Sequence, residues 1–136
     1  VLIVDTGVLV AAADRTDRNH QRCVAVLEEA SQPLLTTGLV IAECAYLIER
    51  ELGPDAEVLL YESIIDQALR VEDLTGADWQ RIRELVSTYA NLPLGGTDAS
   101  VIAIAERHDQ TTIATLDHRH FAVVRPTHTE AFELIP

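Results

Sequence analysis

Val1-Leu2-Ile3-Val4-Asp5-Thr6-Gly7 opens the chain as an apolar run that stops abruptly on a carboxylate, a hydroxyl and a glycine. Consecutive apolar residues with β-branched character suit a central strand of a parallel sheet, which is covered on both faces and shows no polar alternation. Asp5 then stands at the C-terminal end of that strand. In open α/β sheets ligands bind there, because the loops leaving the strand ends form a crevice. Asp and Thr are also favoured helix starters, so the pair reads equally well as a cap. The choice turns on whether other acids arrive at the same place.

Outward from this strand the pattern alternates. Val8 to Ala13 reads as a short helix, Asp14 to Asn19 as a polar surface loop, and His20 to Ala30 as a helix with Cys23, Val24, Val26 and Leu27 at helical spacing. Leu34 to Thr36 is a short strand, Leu39 to Leu52 a helix stopped by Gly53-Pro54, Asp55 to Asp66 a further helix, and Ala68 to Val71 a strand. Thr75 caps a long amphipathic helix with Trp79, Ile82, Leu85, Val86 and Tyr89 on one face. Helical spacing makes Trp79 and Tyr89 core or partner-facing residues rather than a platform for stacked bases. Beyond the break from Asn91 to Gly96, Thr97 to His108 is a helix and Thr111 to Thr115 a strand. Ala122-Val123-Val124 and Phe132 to Ile135 are expected to supply one or two edge strands. Strands alternating with helices predict an α/β protein with a mostly parallel sheet. Neither a linker nor a repeat interrupts it, so residues 1–136 are expected to form a single domain.

The charge balance narrows the chemistry. Twenty-two acids face ten bases, a formal charge of −12, and all ten bases are arginine. Without lysine, P-loop phosphate binding and Schiff-base catalysis are excluded, as are acidic phosphoryl pockets that rely on a lysine. An acidic surface also opposes unaided binding of long nucleic acid, which is driven by neutralising phosphates. Cys23 and Cys44 are not in a metal-type spacing and read as reduced core residues of a cytoplasmic protein. No apolar run reaches the roughly 18 residues of a membrane span, and no basic leader-type segment precedes Val1. The missing initiator methionine leaves room for a short removed segment.

Three more acids stand where a carboxylate needs a reason. Glu43 interrupts the apolar helix Leu39-Val40-Ile41-Ala42-Glu43-Cys44-Ala45-Tyr46-Leu47-Ile48, most of which is expected to be buried, so Glu43 needs a counter-charge or a metal. Asp98 reads by itself as a cap or first-turn acid favoured by the helix dipole, but it also starts the inward stripe of its helix with Val101, Ile102 and Ala105, just after Gly95-Gly96, a backbone able to approach another element closely. Asp117 follows the strand through Ile113 and Thr115 and repeats the arrangement at Asp5, or else forms an Asx turn before His118-Arg119. Two carboxylates ~4 Å apart repel by about 4 kcal/mol at an effective dielectric of 20, so a cluster of four demands protons or cations. An all-oxygen site suits Mg²⁺ or Mn²⁺ over Zn²⁺. Such ions activate water and clamp phosphate oxygens, the logic of phosphodiester hydrolysis.

Val4-Asp5-Thr6, Ala42-Glu43, the run Leu92-Pro93-Leu94-Gly95-Gly96-Thr97-Asp98-Ala99-Ser100, and Thr115-Leu116-Asp117 followed by Phe121 stand in the order found in one family. Through them the chain resembles the PIN-domain family, in particular the VapC-like ribonuclease toxins of prokaryotic toxin-antitoxin modules. The resemblance implies a three-layer α/β/α sandwich with a central sheet of about five strands, and Asp5, Glu43, Asp98 and Asp117 around Mg²⁺ or Mn²⁺. It further implies cleavage of single-stranded RNA and a small VapB-like antitoxin whose C-terminal segment covers the site. Gly96 departs from the pattern, which often has a larger apolar residue there.

On this reading Asp5, Asp98 and Glu43 hold the principal ion, and Asp117 positions a second ion or the attacking water. Thr6 and Thr115 orient the carboxylates. His118, Arg119 and His120 are candidates for RNA phosphate, or simply a solvated turn. The acidity predicts a basic partner side chain in the site. RNA and a second copy of the chain are the other expected partners, and no membrane is expected. A catalytically inactive module of the same fold that binds protein or RNA is the alternative. A phosphatase with Asp5 as nucleophile is weaker, because no second acid follows two residues on.

Overall fold

A computed structural model describes residues Val1–Pro136. Five strands, β1 (Leu2–Val4), β2 (Leu34–Thr37), β3 (Leu69–Glu72), β4 (Thr112–Ala114) and β5 (Glu133–Ile135), form one sheet in the order β3-β2-β1-β4-β5. Every neighbouring pair is parallel. In β1, Ile3 is in register with Leu35 on one side and Ile113 on the other, and all three strand residues are buried. The opening apolar run is therefore the central strand, as its lack of alternation requires.

Seven helices connect and cover the strands: α1 (Thr6–Ala13), α2 (His20–Glu29), α3 (Gly38–Leu52), α4 (Pro54–Ile65), α5 (Gly76–Thr88), α6 (Gly96–Arg107) and α7 (His118–Val123). From β1 the chain steps outward to β2 and β3, then crosses back to β4 and on to β5. Parallel crossovers are right-handed, so reversing the direction of travel moves the helices to the other face. Helices α1 to α4 cover one face and α5 to α7 the other, which makes the three-layer sandwich. The reversal falls between β1 and β4, and the crevice at such a switch point lies beyond the strand C-termini.

Local chemistry sets the helix ends. Thr75 and Asp78 form a reciprocal capping box at α5. Gly53, at φ 88°, ends α3 in a conformation that costs a side-chain-bearing residue energy, and Pro54 opens α4 directly. Helix α6 is the central one: Ala99 to Ala105 are all buried. With Ile3, Val4, Ile113 and Phe121 it anchors a core of 27 apolar residues. Cys23 and Cys44 belong to that core as free thiols. No helix is long and apolar enough to cross a membrane.

Several local expectations are corrected. Ala122 and Val123 do not start an edge strand. Asp117 caps a helical turn from His120 N–H at 3.0 Å, and Phe121 and Val124, three apart, are the residues buried. Only β5 lies at that edge. Helix α3 buries just Val40, Cys44 and Ile48, while Ala42, Glu43 and Tyr46 face solvent, because one stripe suffices against the sheet. In α5 the buried stripe is Asp78, Ile82 and Leu85, which turns Trp79 outward at 51% exposure. Trp79 borders a hollow of about 490 Å³ with Leu39, Ala42 and Leu74.

Candidate active site

At the switch point a hollow of about 530 Å³ is lined by Asp5, Thr6, Asp17, Glu43, Asp98 and Asp117, with Gly7, Val10, Leu47 and Leu116 as its apolar wall. The four acids singled out in the sequence come from four separate segments of chain. The fold brings them to one place because β1, β2 and β4 all end at this edge of the sheet and α6 begins there. No arginine lines the hollow.

Asp5 occupies the N-cap position of α1, yet its carboxylate makes no capping bond. It instead accepts a hydrogen bond from Thr115 Oγ1 at 2.8 Å, at the end of β4. That decides the ambiguity of the opening stretch: the acid faces the sheet edge rather than its own helix. Burial raises its pKa, with the charges of Glu43 and Asp117 adding, against the Thr115 hydroxyl and Thr6 amide.

Asp98 lies in the first turn of α6, where the helix dipole favours a negative charge. Its pKa is nevertheless pushed up to about 6, first by burial, then by the charges of Asp5 and Asp117. Desolvation and repulsion outweigh the dipole. The glycines before it do not serve a close approach: a Cβ on Gly95 or Gly96 would meet nothing within 4 Å. The larger side chain expected at Gly96 would enter open space.

Asp117 lies two residues beyond Thr115, at the cap of α7 rather than within β4. Its amide donates to Thr115 Oγ1 at 2.9 Å, and its carboxylate lies 2.7 Å from His120 Nδ1. His120, a candidate for RNA contact, is thus tied to Asp117, and only His118 and Arg119 are exposed. Glu43 lines the hollow, but from an exposed position. The premise of a buried, unpaired carboxylate is wrong for it, although its place is the one expected. Arg50 is no counter-charge, as it pairs with Glu51 at 2.8 Å.

Sequence reasoning missed Asp17. Its carboxylate accepts the Asn19 amide at 2.7 Å, an Asx turn at the start of α2 that looks like any polar loop in sequence. Only the packing of the α1–α2 connection carries it to the hollow. Thr6 was expected to orient a carboxylate, but its buried Oγ1 has no hydrogen-bond partner. Cys44 lies beneath, its thiol 3.8 Å from the Thr6 carbonyl and pushed up to about 12 by burial and by Asp5 and Glu43, so it stays protonated.

A family model described as PIN domain matches residues 2–125. The chain belongs to the PIN-domain family. Ribonuclease VapC26 of Mycobacterium tuberculosis (strain ATCC 25618 / H37Rv) is 29% identical over 135 residues, covering 99% of this chain and 100% of that protein. Among solved structures, Mycobacterium tuberculosis VapC20, described as a sarcin-ricin loop cleaving toxin, superposes with a TM-score of 0.81 at 19% identity over 87% of this chain and 91% of its own. VapBC2 from Rickettsia felis, bound to a DNA fragment from their promoter, gives 0.68 at 15% identity, covering 98% and 96%. FitAcB from Neisseria gonorrhoeae gives 0.61 at 18%, covering 100% and 97%. At these identities the structural likeness speaks for the fold.

In this PIN domain the donor set fits a hard divalent cation. Its ligands are all oxygen, Asp5 and Asp98 are both held above the ordinary carboxylate range, and no arginine offsets them. No three acid, histidine or cysteine side chains converge as a ready-made ligand set. Asp117 is paired with His120, and Glu43 stands exposed at the rim of the hollow.

Proposed function

We propose that this PIN-domain chain is a Mg²⁺- or Mn²⁺-dependent endoribonuclease that hydrolyses phosphodiester bonds in RNA as the toxin of a VapBC-type pair. The observation that carries the reading is the meeting of Asp5, Glu43, Asp98 and Asp117 in one hollow without an arginine. The name of the relative, Ribonuclease VapC26, supports the reaction type. Asp5, Asp98 and Glu43 would hold the ion, which when bound supplies Lewis-acid stabilisation of phosphate and a water of lowered pKa.

The chain's own residues do the rest. Thr115 keeps the Asp5 carboxylate aimed out of the sheet edge. Asp117, braced by His120, orients the attacking water. His118 and Arg119, exposed beside Asp117, take the RNA backbone. With a formal charge of −12, RNA must be drawn by such local cations rather than by the surface as a whole.

The inhibitory partner we assign is a VapB-like antitoxin that inserts an arginine or lysine into the acidic hollow, where bidentate or point-charge pairing replaces the ion. VapBC2 and FitAcB support an antitoxin partner, and the acidity of the hollow supports the insertion. An inhibited complex with no partner cation in hydrogen-bonding reach of Asp5 or Asp98 would overturn the insertion. A homodimer and a reducing cytoplasmic setting, in keeping with two free thiols, complete the proposal.

The splayed ligand set gives one observation to the alternative, an inactive PIN module that only binds. An RNase assay with Mg²⁺ or Mn²⁺, reversed by chelator, separates the two. Asp98→Asn should remain folded and lose cleavage. Absence of cleavage by the parent under either ion favours the binding module.

A further inference from the structure

Thr37 and Ser100 are both fully buried, and their hydroxyl oxygens are 2.8 Å apart. Thr37 is the N-cap of α3, six residues before Glu43, and Ser100 lies on α6, two residues after Asp98. Thr37 is also the last residue of β2, so this contact ties the C-terminal edge of the sheet, at the point where α3 begins, to α6. Ser100 Oγ is also 2.7 Å from the Thr97 carbonyl oxygen, and Thr37 Oγ1 accepts the Val40 amide at 3.2 Å.

Each hydroxyl has one proton. The Thr97 carbonyl can only accept, so the Ser100 proton is committed to it. Thr37 must therefore donate to Ser100, leaving its lone pairs for Val40 N–H. The bonds run one way, from Val40 through Thr37 and Ser100 to Thr97, with each proton assigned. The helix that carries Glu43 is in this way tied to the first turn that carries Asp98. Beside it, Thr36 Oγ1 donates to the Val4 carbonyl at 2.8 Å and anchors β2 to β1 just before Asp5.

We propose that Thr37 and Ser100 are positioning residues that set Glu43 against Asp98 so that both reach one divalent cation. The inference rests on the metal-dependent reading above. Glu43 stands at the exposed rim and its side chain is long, so its reach depends on where α3 sits. Functional constellations tolerate only about 0.5 Å of misplacement. A helix freed of its one-way link to α6 can slide by that much without unfolding.

The test is Mn²⁺ affinity, read by electron paramagnetic resonance of free Mn²⁺ and paired with thermal unfolding of the metal-free protein. Ser100→Ala is expected to weaken Mn²⁺ binding about 10-fold or more, the range seen when groups supporting metal ligands are lost. Thr37→Ser, which keeps the hydroxyl and the cap, should bind as the parent does. Combined with Glu43→Gln, Ser100→Ala should lose its effect on affinity while its lowering of the melting temperature persists. Parent-like affinity in Ser100→Ala overturns the proposal. So does an equal loss with and without the Glu43 carboxylate, since that marks Ser100 as merely structural. If Ser100→Ala fails to fold, Ser100→Cys keeps the volume while lengthening the link, and parent-like affinity there also overturns it. A parent that binds no Mn²⁺ removes the ribonuclease reading itself. That is distinct from a parent that binds Mn²⁺ and cleaves RNA while Ser100→Ala is unchanged, which removes only the link.

Discussion

Thr115 Oγ1 donates to Asp5 Oδ2 at 2.8 Å across the step from β4 to β1, between residues 110 apart in sequence. The same oxygen accepts the Asp117 amide at 2.9 Å, so one buried hydroxyl braces two acids of the hollow.

Thr115→Val keeps the shape and removes the brace. Asp5 then loses its one side-chain donor while staying 5% exposed. The variant should be about 1–3 kcal/mol less stable at neutral pH, the range for leaving a buried polar group unsatisfied. RNA cleavage should fall about 10- to 100-fold, as when a metal ligand loses its orienting partner. Urea unfolding and initial cleavage rates check the two halves separately.

The hollow should be stabilised by acid when no cation is present. Burial and the neighbouring acids push Asp98 up to about 6 in the folded chain, above the ordinary aspartate range, and Asp5 is shifted in the same direction. A raised folded pKa means that the native state binds the extra proton. The stabilisation is therefore complete below the unfolded value and is lost as pH rises through about 6. Discounted for the partial exposure of Asp98, the change is on the order of 1–2 kcal/mol. Mg²⁺ or Mn²⁺ should accordingly raise the melting temperature well above pH 6 and have little effect near pH 4.5. Calorimetry with and without chelator at both ends of the range measures it.

Gly96→Ala should stabilise the protein. Gly96 is the first residue of α6, and an added Cβ meets nothing within 4 Å. Restricting the unfolded chain at such a position is worth about 0.4–1 kcal/mol. Thermal unfolding tests this, with cleavage expected to stay at the parent level.

Arg107→Gln should destabilise the opposite end of the sandwich. Arg107 Nη2 lies 2.9 Å from the Asp78 carboxylate, which is 4% exposed, and donates to the Asp73 carbonyl at 3.0 Å. Burial alone would raise the pKa of Asp78, but Arg107 and the Thr75 amide outweigh it and hold the carboxyl below its ordinary range. Removing the guanidinium leaves a buried charge without its partner, a loss of about 3–5 kcal/mol for a fully buried pair and less here because Arg107 is partly exposed. A depressed acid contributes above its unfolded pKa and loses that contribution as pH falls through the folded one. The acid-side decline in stability should thus be shallower in the variant, as pH-dependent urea midpoints would show.

The local parts of this protein were legible because local rules set them. A short unalternating apolar run with β-branched residues suits a strand covered on both faces, and Leu2 to Val4 is that strand. Thr75 starts α5 and Gly53-Pro54 divides α3 from α4 because caps and breakers act within a few residues. The order of strands and helices follows from the same signals, and with it the sheet edge where Asp5 ends. What sequence could not decide depends on which way each element faces once packed. Trp79 turned outward and Glu43 moved to the rim because a helix against a sheet buries a single stripe, and more than one stripe was apolar enough to be chosen. Asp17 and the Thr37–Ser100 link have no spacing to reveal them. They exist because the crossovers reverse between β1 and β4, bringing residues up to 110 positions apart to one edge, and only the tertiary structure sets that meeting.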